Sequence, residues 1–314
     1  MAIEWKGVFP AVTTKFTDND ELDLTLFEKN LQAQIEAGVA GIIIGGSLGE
    51  SSTITTEELG QLVASGLKTA AGKVPVIVNI ATGSTREATS IAKQIKAWGA
   101  DGIMLLPPMR YKSTPEETVL FFRTVAAATD LPVLLYNNPV DYKTEITIDM
   151  FEALKDIPTI QAVKESTRDV SNVIRMRNNF GDRFKILCGV DTLTFEELSS
   201  GADGLVAGLV CAFPRETVAI YNFIKNNQHQ QALEIYRWFM PLLEFDITPQ
   251  LVQYIKLAEV YTGLGNETVR APRISLKGDK RAAAIATIET ALKTRPEALV
   301  EKGLALMTAE GVSV

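Results

Sequence analysis

A (β/α)8 barrel with a C-terminal helical subdomain is the fold this sequence predicts, and three observations predict it. Eight short apolar runs recur along the chain, each bounded by turn residues. Each run is followed by a stretch with the spacing of an amphipathic helix. After the eighth run the strand signals stop and only helical patterns continue. Alternating signals of this kind predict parallel strands joined by helices. The runs are continuously apolar, as expected of parallel strands buried on both faces. Eight units favour a closed barrel; an open doubly wound sheet is the alternative, since strand order is not written in a single sequence.

The runs are Val8–Val12, Gly41–Ile44, Val74–Ile80, Gly102–Leu106, Val133–Tyr136, Ile160–Val163, Lys185–Cys188 and Gly204–Val206. Between the first two, Leu24–Ala37 places Leu26, Phe27, Leu31 and Ile35 at helical spacing, and Gly38 ends it. Thr55–Ala71 opens on a Thr cap followed by Glu57 and Glu58, which suit a helix N-terminus, and stops at Gly72. Ser84–Trp98 repeats the arrangement and stops at Gly99. The barrel is assigned to residues 1–228 and the helical subdomain to 229–314. In the latter, Gln231–Leu243, Thr248–Tyr261 and Lys280–Lys293 each carry an apolar stripe, for example Leu251, Val252, Ile255 and Ala258. Pro241 interrupts the first of these and predicts a kink.

Composition narrows the function. The net charge of −7 over 314 residues lacks the basic face a nucleic-acid binder needs. The opening MAIEWKGVFPAVTTKF has no basic stretch followed by a long apolar run, and no segment reaches the length of a membrane span. Cys188 and Cys211 both sit in apolar runs and read as buried thiols of a reducing compartment. A cytoplasmic protein without nucleic-acid or membrane partners is expected. The single histidine, His229, lies in the polar stretch KNNQHQQ and reads as a surface residue. Histidine-built metal sites and histidine triads are thereby excluded, and no metal is expected. Lys, Tyr, Asp, Glu, Cys and Ser remain as candidate bases and nucleophiles.

Barrel enzymes build their sites at the C-terminal ends of the strands. Three polar segments end apolar runs here: GGSLGE at 45–50, YNNP at 136–139 and VKES at 163–166. Lys164 is either a snorkelling lysine or a buried functional amine. Burial disfavours the ammonium and so favours an amine that forms a Schiff base with a 2-oxo acid. Tyr136 ends the preceding run, next to Lys164 in a barrel, where its hydroxyl can shuttle protons. Ser47 lies in a glycine-rich loop whose N–H groups can converge on a carboxylate, a plain tight turn being the alternative. The glycine spacing of that loop does not fit a dinucleotide fingerprint.

Together, Lys164 in VKES, Tyr136 in YNNP and Ser47 in GSLGES resemble the dihydrodipicolinate synthase and N-acetylneuraminate lyase family of class I aldolases. The resemblance runs from GVFPAVTTKF through LLPP and GVD at 189–191 to LVQYIKLAEV. It implies that Lys164 is the Schiff-base lysine, that Tyr136 carries protons, and that Ser47 and Leu48 hold the substrate carboxylate. It places the Val206 carbonyl near the amine and implies a cofactor-free homotetramer built as a pair of dimers.

The departures bear on the substrate. Arg110 stands where the family commonly has a second tyrosine, with Tyr111 one step later. Asp141 stands where a true synthase presents an arginine to its aldehyde substrate. Asn79 replaces a small glycine, and Leu48 a second hydroxyl residue. Asn79, Arg110 and Asp141 are therefore candidate specificity residues. The expected activity is a lyase, hydro-lyase or deaminase acting on a small 2-oxo acid or cyclic imino acid, such as a hydroxylated pyrroline carboxylate. The alternatives are 4-hydroxy-tetrahydrodipicolinate synthase, which condenses pyruvate with aspartate semialdehyde, a sugar-acid or N-acetylneuraminate-type aldolase, and a non-enzymic 2-oxo-acid sensor. Retention of both Lys164 and Tyr136 weighs against the sensor.

Overall fold

The computed structural model describes residues 2–108 and 111–310. Its strands are β1 (Gly7–Pro10), β2 (Ile42–Ile44), β3 (Val76–Ile80), β4 (Gly102–Leu105), β5 (Val133–Asn137), β6 (Ile160–Glu165), β7 (Lys185–Cys188) and β8 (Gly204–Ala207). They form one parallel sheet in the order β1-β8-β7-β6-β5-β4-β3-β2. A parallel bridge from Ala11 to Ile43 closes the circle, with Val12 N–H donating to the Ile43 carbonyl at 3.0 Å. The fold is thus the closed barrel rather than the open sheet.

Why the runs read as continuously apolar is visible in the two faces of each strand. Phe9, Ile43, Ile77, Met104, Leu134, Ala162, Leu187 and Val206 share one buried cluster. Their neighbours Val8, Val78, Ile103, Leu105, Leu135, Val163, Ile186 and Leu205 belong to a second, shared with the surrounding helices. Successive side chains alternate between barrel interior and helical layer, so both sets must be apolar.

The helices start and stop where local chemistry dictates. Thr55 caps Thr56–Ala70 and forms a capping box with Glu58. Thr114 does the same with Glu117 for Pro115–Ala126, and Ser84 caps Thr85–Ala97. After β8 come the helices Pro214–Lys225, His229–Leu243, Leu251–Tyr261, Gly278–Lys293 and Glu297–Glu310. Pro241 falls in the last turn of its helix, and the chain then passes into a 3-10 turn at Glu244–Ile247. The helix Glu297–Glu310 is additional to the sequence expectation. It lies against Pro214–Lys225, and a Cβ on Gly303 would come within 2.7 Å of the Ala219 Cβ. Among the described residues no helix is long and apolar enough to cross a membrane.

Candidate active site

The same alternation aims the chemistry. Tyr136 lies two residues beyond Leu134 and Lys164 two beyond Ala162, so both follow interior positions into the barrel mouth. The ladder does not stop at Val163: β6 runs on through Lys164 and Glu165, paired with Tyr136 and Asn137 of β5. Lys164 therefore sits within a strand rather than on the loop after it. Both residues are 7% exposed, and the lysine Nζ stands 4.2 Å from the centre of the Tyr136 ring.

Each neighbour of this pair has a role. A Cβ on Gly189 would fall 2.1 Å from Ser166 Oγ and 2.7 Å from Lys164 Cε. Only glycine leaves the lysine stem its path across the end of β7. Glu165, on the opposite face from Lys164, accepts from Asn172 at 2.8 Å and from the Thr167 N–H at 2.8 Å, which pins the loop. Burial pushes its carboxyl above the ordinary range. Asn138 donates to the Tyr136 hydroxyl at 3.1 Å and to Asp141 Oδ2 at 2.8 Å.

Asn138 also caps the one-turn helix Pro139–Tyr142, which turns Tyr142 back over the mouth. Its ring meets Tyr136 edge-on, with centroids 5.6 Å apart, and its hydroxyl hydrogen-bonds the Ser47 hydroxyl. Burial, then the neighbouring Tyr136, raise the Tyr142 phenol above its ordinary value, so it stays protonated. Sequence reasoning missed Tyr142. The available signal was an Asn-Pro cap that places the fourth helical residue over the cap.

The Ser47 loop is held from two sides. Gly45 takes a left-handed φ of +72° there, which favours glycine. Glu50 N–H donates to the Ser47 carbonyl at 3.1 Å and Ser51 N–H to the Gly46 carbonyl at 3.2 Å. Asn79 Nδ2 donates to the Gly45 carbonyl at 3.0 Å, so Asn79 acts on the loop and does not line the cavity. From the tail, Lys256 Nζ bonds Glu50 Oε1 and Arg270 N–H donates to Oε2 at 3.1 Å. Burial takes the Lys256 amine down to about 8, against the pull of Glu50. Beside it, Lys15 pairs with buried Glu259 at 2.9 Å.

Ser47, Leu48, Tyr136, Asp141, Lys164 and Val206 all line one cavity. Arg110 lies outside the described residues. Ser166, Arg168 and Asp246, none of them singled out from the sequence, also share the lining. Asp246 comes from the tail, in the 3-10 turn Glu244–Ile247. Behind it, Asp191 accepts from the N–H groups of Gly208 and Leu209, at 3.1 and 2.8 Å. Burial, then the Asp191 charge, push the Asp246 carboxyl up to about 8 while Lys164 opposes the shift. Among the described residues no group of three His, Cys, Asp or Glu side chains is arranged to hold a metal ion.

A closed parallel barrel that sets a buried lysine against a tyrosine on adjacent strand ends is a barrel enzyme equipped for imine chemistry. Residues 4–291 match the model of the dihydrodipicolinate synthetase family, and the chain belongs to that family. It is 32% identical over 289 residues to the 4-hydroxy-tetrahydrodipicolinate synthase of Exiguobacterium sibiricum, spanning 91% of this chain and 97% of that protein. The enzyme of the same name from Macrococcus caseolyticus is 32% identical over 279 residues, 88% of this chain and 93% of that one. The crystal structure of the chloride-inhibited dihydrodipicolinate synthase of Acinetobacter baumannii, complexed with pyruvate, superposes with a TM-score of 0.88 at 26% identity. It covers 92% of this chain and 99% of that one. The chain is accordingly a class I lyase on a (β/α)8 barrel.

Proposed function

We propose that the Lys164 amine condenses with C2 of a small 2-oxo acid, or of a cyclic imino acid, and that the enzyme then eliminates a group further along the chain. The observation that carries this is the Lys164–Tyr136 pair facing a cavity whose wall bears Asp141. The amine adds to C2 and the carbonyl oxygen leaves as water, or, for a cyclic imine, the ring nitrogen is displaced. The resulting iminium draws electrons from C3, whose proton leaves through the Tyr136 hydroxyl. Ser47 and the Leu48 amide hold the substrate carboxylate. No cofactor is required, because the iminium is itself the electron sink. A hydroxylated pyrroline carboxylate is the substrate class we favour, and a homotetramer is the expected assembly.

A second reading, 4-hydroxy-tetrahydrodipicolinate synthase, is favoured by the names of the relatives. Arg168 on the cavity wall offers that reading a cation for the aldehyde's carboxylate. Against it stands Asp141, a like charge where the resemblance leads one to expect an arginine. Loss of one charge-assisted hydrogen bond, about 1.5–3 kcal/mol, lowers kcat/KM for aspartate semialdehyde by about 10- to 150-fold.

Two experiments test these readings. Borohydride with pyruvate should leave one stable adduct, on Lys164, and Lys164→Ala should abolish it; an adduct on another lysine overturns the mechanism. Side-by-side assays should then show turnover of 4-hydroxy-1-pyrroline-2-carboxylate and poor condensation of pyruvate with aspartate semialdehyde. Condensation at a kcat/KM of about 10⁴ M⁻¹s⁻¹ or better makes the synthase the answer. Trapping without any turnover would leave the sensor.

A further inference from the structure

We propose that Asp246 is the general acid that protonates the group leaving from C4, one carbon beyond the enamine. The proposal rests on the elimination reading above. Lys164 and Tyr136 account for chemistry at C2 and C3, but hydroxide or an amine leaves C4 poorly unless a proton arrives with the departing bond. A group on the cavity wall must supply it, and Asp246 is placed to do so.

Its position is built by the fold. A Cβ on Gly208 would lie 2.5 Å from Asp246 Oδ1, so glycine at the end of β8 vacates the space this carboxyl fills. Asp191 takes the backbone N–H groups of Gly208 and Leu209 on its own oxygens behind the wall. A second carboxylate so close would repel it, and Asp141 adds to the same field. Lys164 works the other way, yet the carboxyl holds its proton to about pH 8. At neutral pH Asp246 is therefore a donor rather than a base. An independent feature of the same wall points to a ligand. Ser166 is 2% exposed, and its hydroxyl has no hydrogen-bond partner among the described residues. A buried polar group left open costs stability unless something binds there.

The C3–H bond breaks and its proton leaves through Tyr136, giving the enamine. The enamine electrons form the C3–C4 double bond as the C4–O bond breaks. The Asp246 proton passes to the departing oxygen, which leaves as water. The proton taken from C3 restores Asp246, and water hydrolyses the iminium to free Lys164. For an acyclic 2-oxo acid the net change is loss of one water.

The test compares two leaving groups with opposite needs. Hydroxide must be protonated to leave, whereas fluoride need not be. With 4-hydroxy-1-pyrroline-2-carboxylate, Asp246→Asn should lower kcat by about 10²–10⁴-fold, the range for one general acid. With 4-fluoro-1-pyrroline-2-carboxylate, fluoride release should stay within a few-fold of wild type. Exchange of the C3 hydrogens in deuterium oxide and borohydride trapping should also persist. Equal losses on both substrates, or loss of exchange, would show that Asp246 merely shapes the cavity and would overturn the proposal. Undiminished hydroxide loss in the variant overturns it as well. If wild type exchanges C3 hydrogens but releases neither group, the elimination reading itself fails, and the proposal with it.

Discussion

Two phenols and one serine hydroxyl share the barrel mouth, and they do not have equal tasks. Tyr136 lies under the Lys164 amine, while Tyr142 touches Ser47 and the edge of the Tyr136 ring. Tyr136→Phe removes only the oxygen to which the proposed mechanism gives the proton, and it should reduce kcat by about 10²–10⁴-fold. Tyr142, held protonated, is placed to fix Ser47 rather than to take a proton from carbon. Tyr142→Phe and Ser47→Ala should therefore each raise KM for the 2-oxo acid, and the double variant should lose little more than the worse single one. Residues acting through one hydrogen bond are non-additive in this way. Strictly additive losses in a steady-state cycle would separate the two. Among the site residues, Lys164 and Tyr136 were visible in the sequence because each ends an apolar run, and Ser47 because it lies in the glycine-rich loop after one. Tyr142 and Asp246 were not, since their places depend on a one-turn helix and on where the tail crosses the mouth. Asn79 was placed among substrate residues, yet the structure gives it the Gly45 carbonyl.

Helix Leu251–Tyr261 is tied to the loops after β1 and β2 by two buried lysine–carboxylate contacts: Lys256 with Glu50, and Glu259 with Lys15. The first matters for function, because Glu50 is the last residue of the loop that carries Ser47 and Leu48. Removing one partner of a buried pair strands a charge and costs about 3–5 kcal/mol, whereas replacing both is often neutral. Lys256→Met alone should thus lower the urea midpoint sharply and raise KM by loosening the loop. Adding Glu50→Gln should restore much of the stability. Failure of the double variant to recover would mean that the Arg270 N–H and Arg273, which also face Glu50, dominate there. At this scale the sequence was readable for a physical reason. Strands buried on both faces are uniformly apolar, and capped helices announce their starts. Glu297–Glu310 escaped because its packing face includes Gly303, whose contribution is the absence of a side chain.

The molecule as a whole buries more acids than it neutralises, and this sets its response to pH. Glu197, fully buried on the helix Thr194–Ser199, is pushed up to about 8 by burial and then by the Glu165 charge. Glu165, Asp191, Glu216 and Glu259 shift in the same direction, each mainly by burial. A raised folded pKa means that the native state binds more protons than the unfolded chain between the two values. For Glu197 that window runs from about 4.5 to about 8, and stability falls across it as pH rises. The slope is at most about 1.4 kcal/mol per pH unit for one group. Lys256 acts in the next window: its amine, lowered to about 8, favours the folded state increasingly as pH climbs from there towards about 10.4. Urea midpoints should therefore decline from pH 5 to pH 8 and flatten above it. Glu197→Gln keeps the shape but has no charge to suppress. It should be more stable than wild type at pH 8, differ little at pH 5, and show a shallower decline between them. Parallel midpoint curves for the two proteins would mean that Glu197 is ionised in the fold and that the alkaline loss lies with the other buried acids.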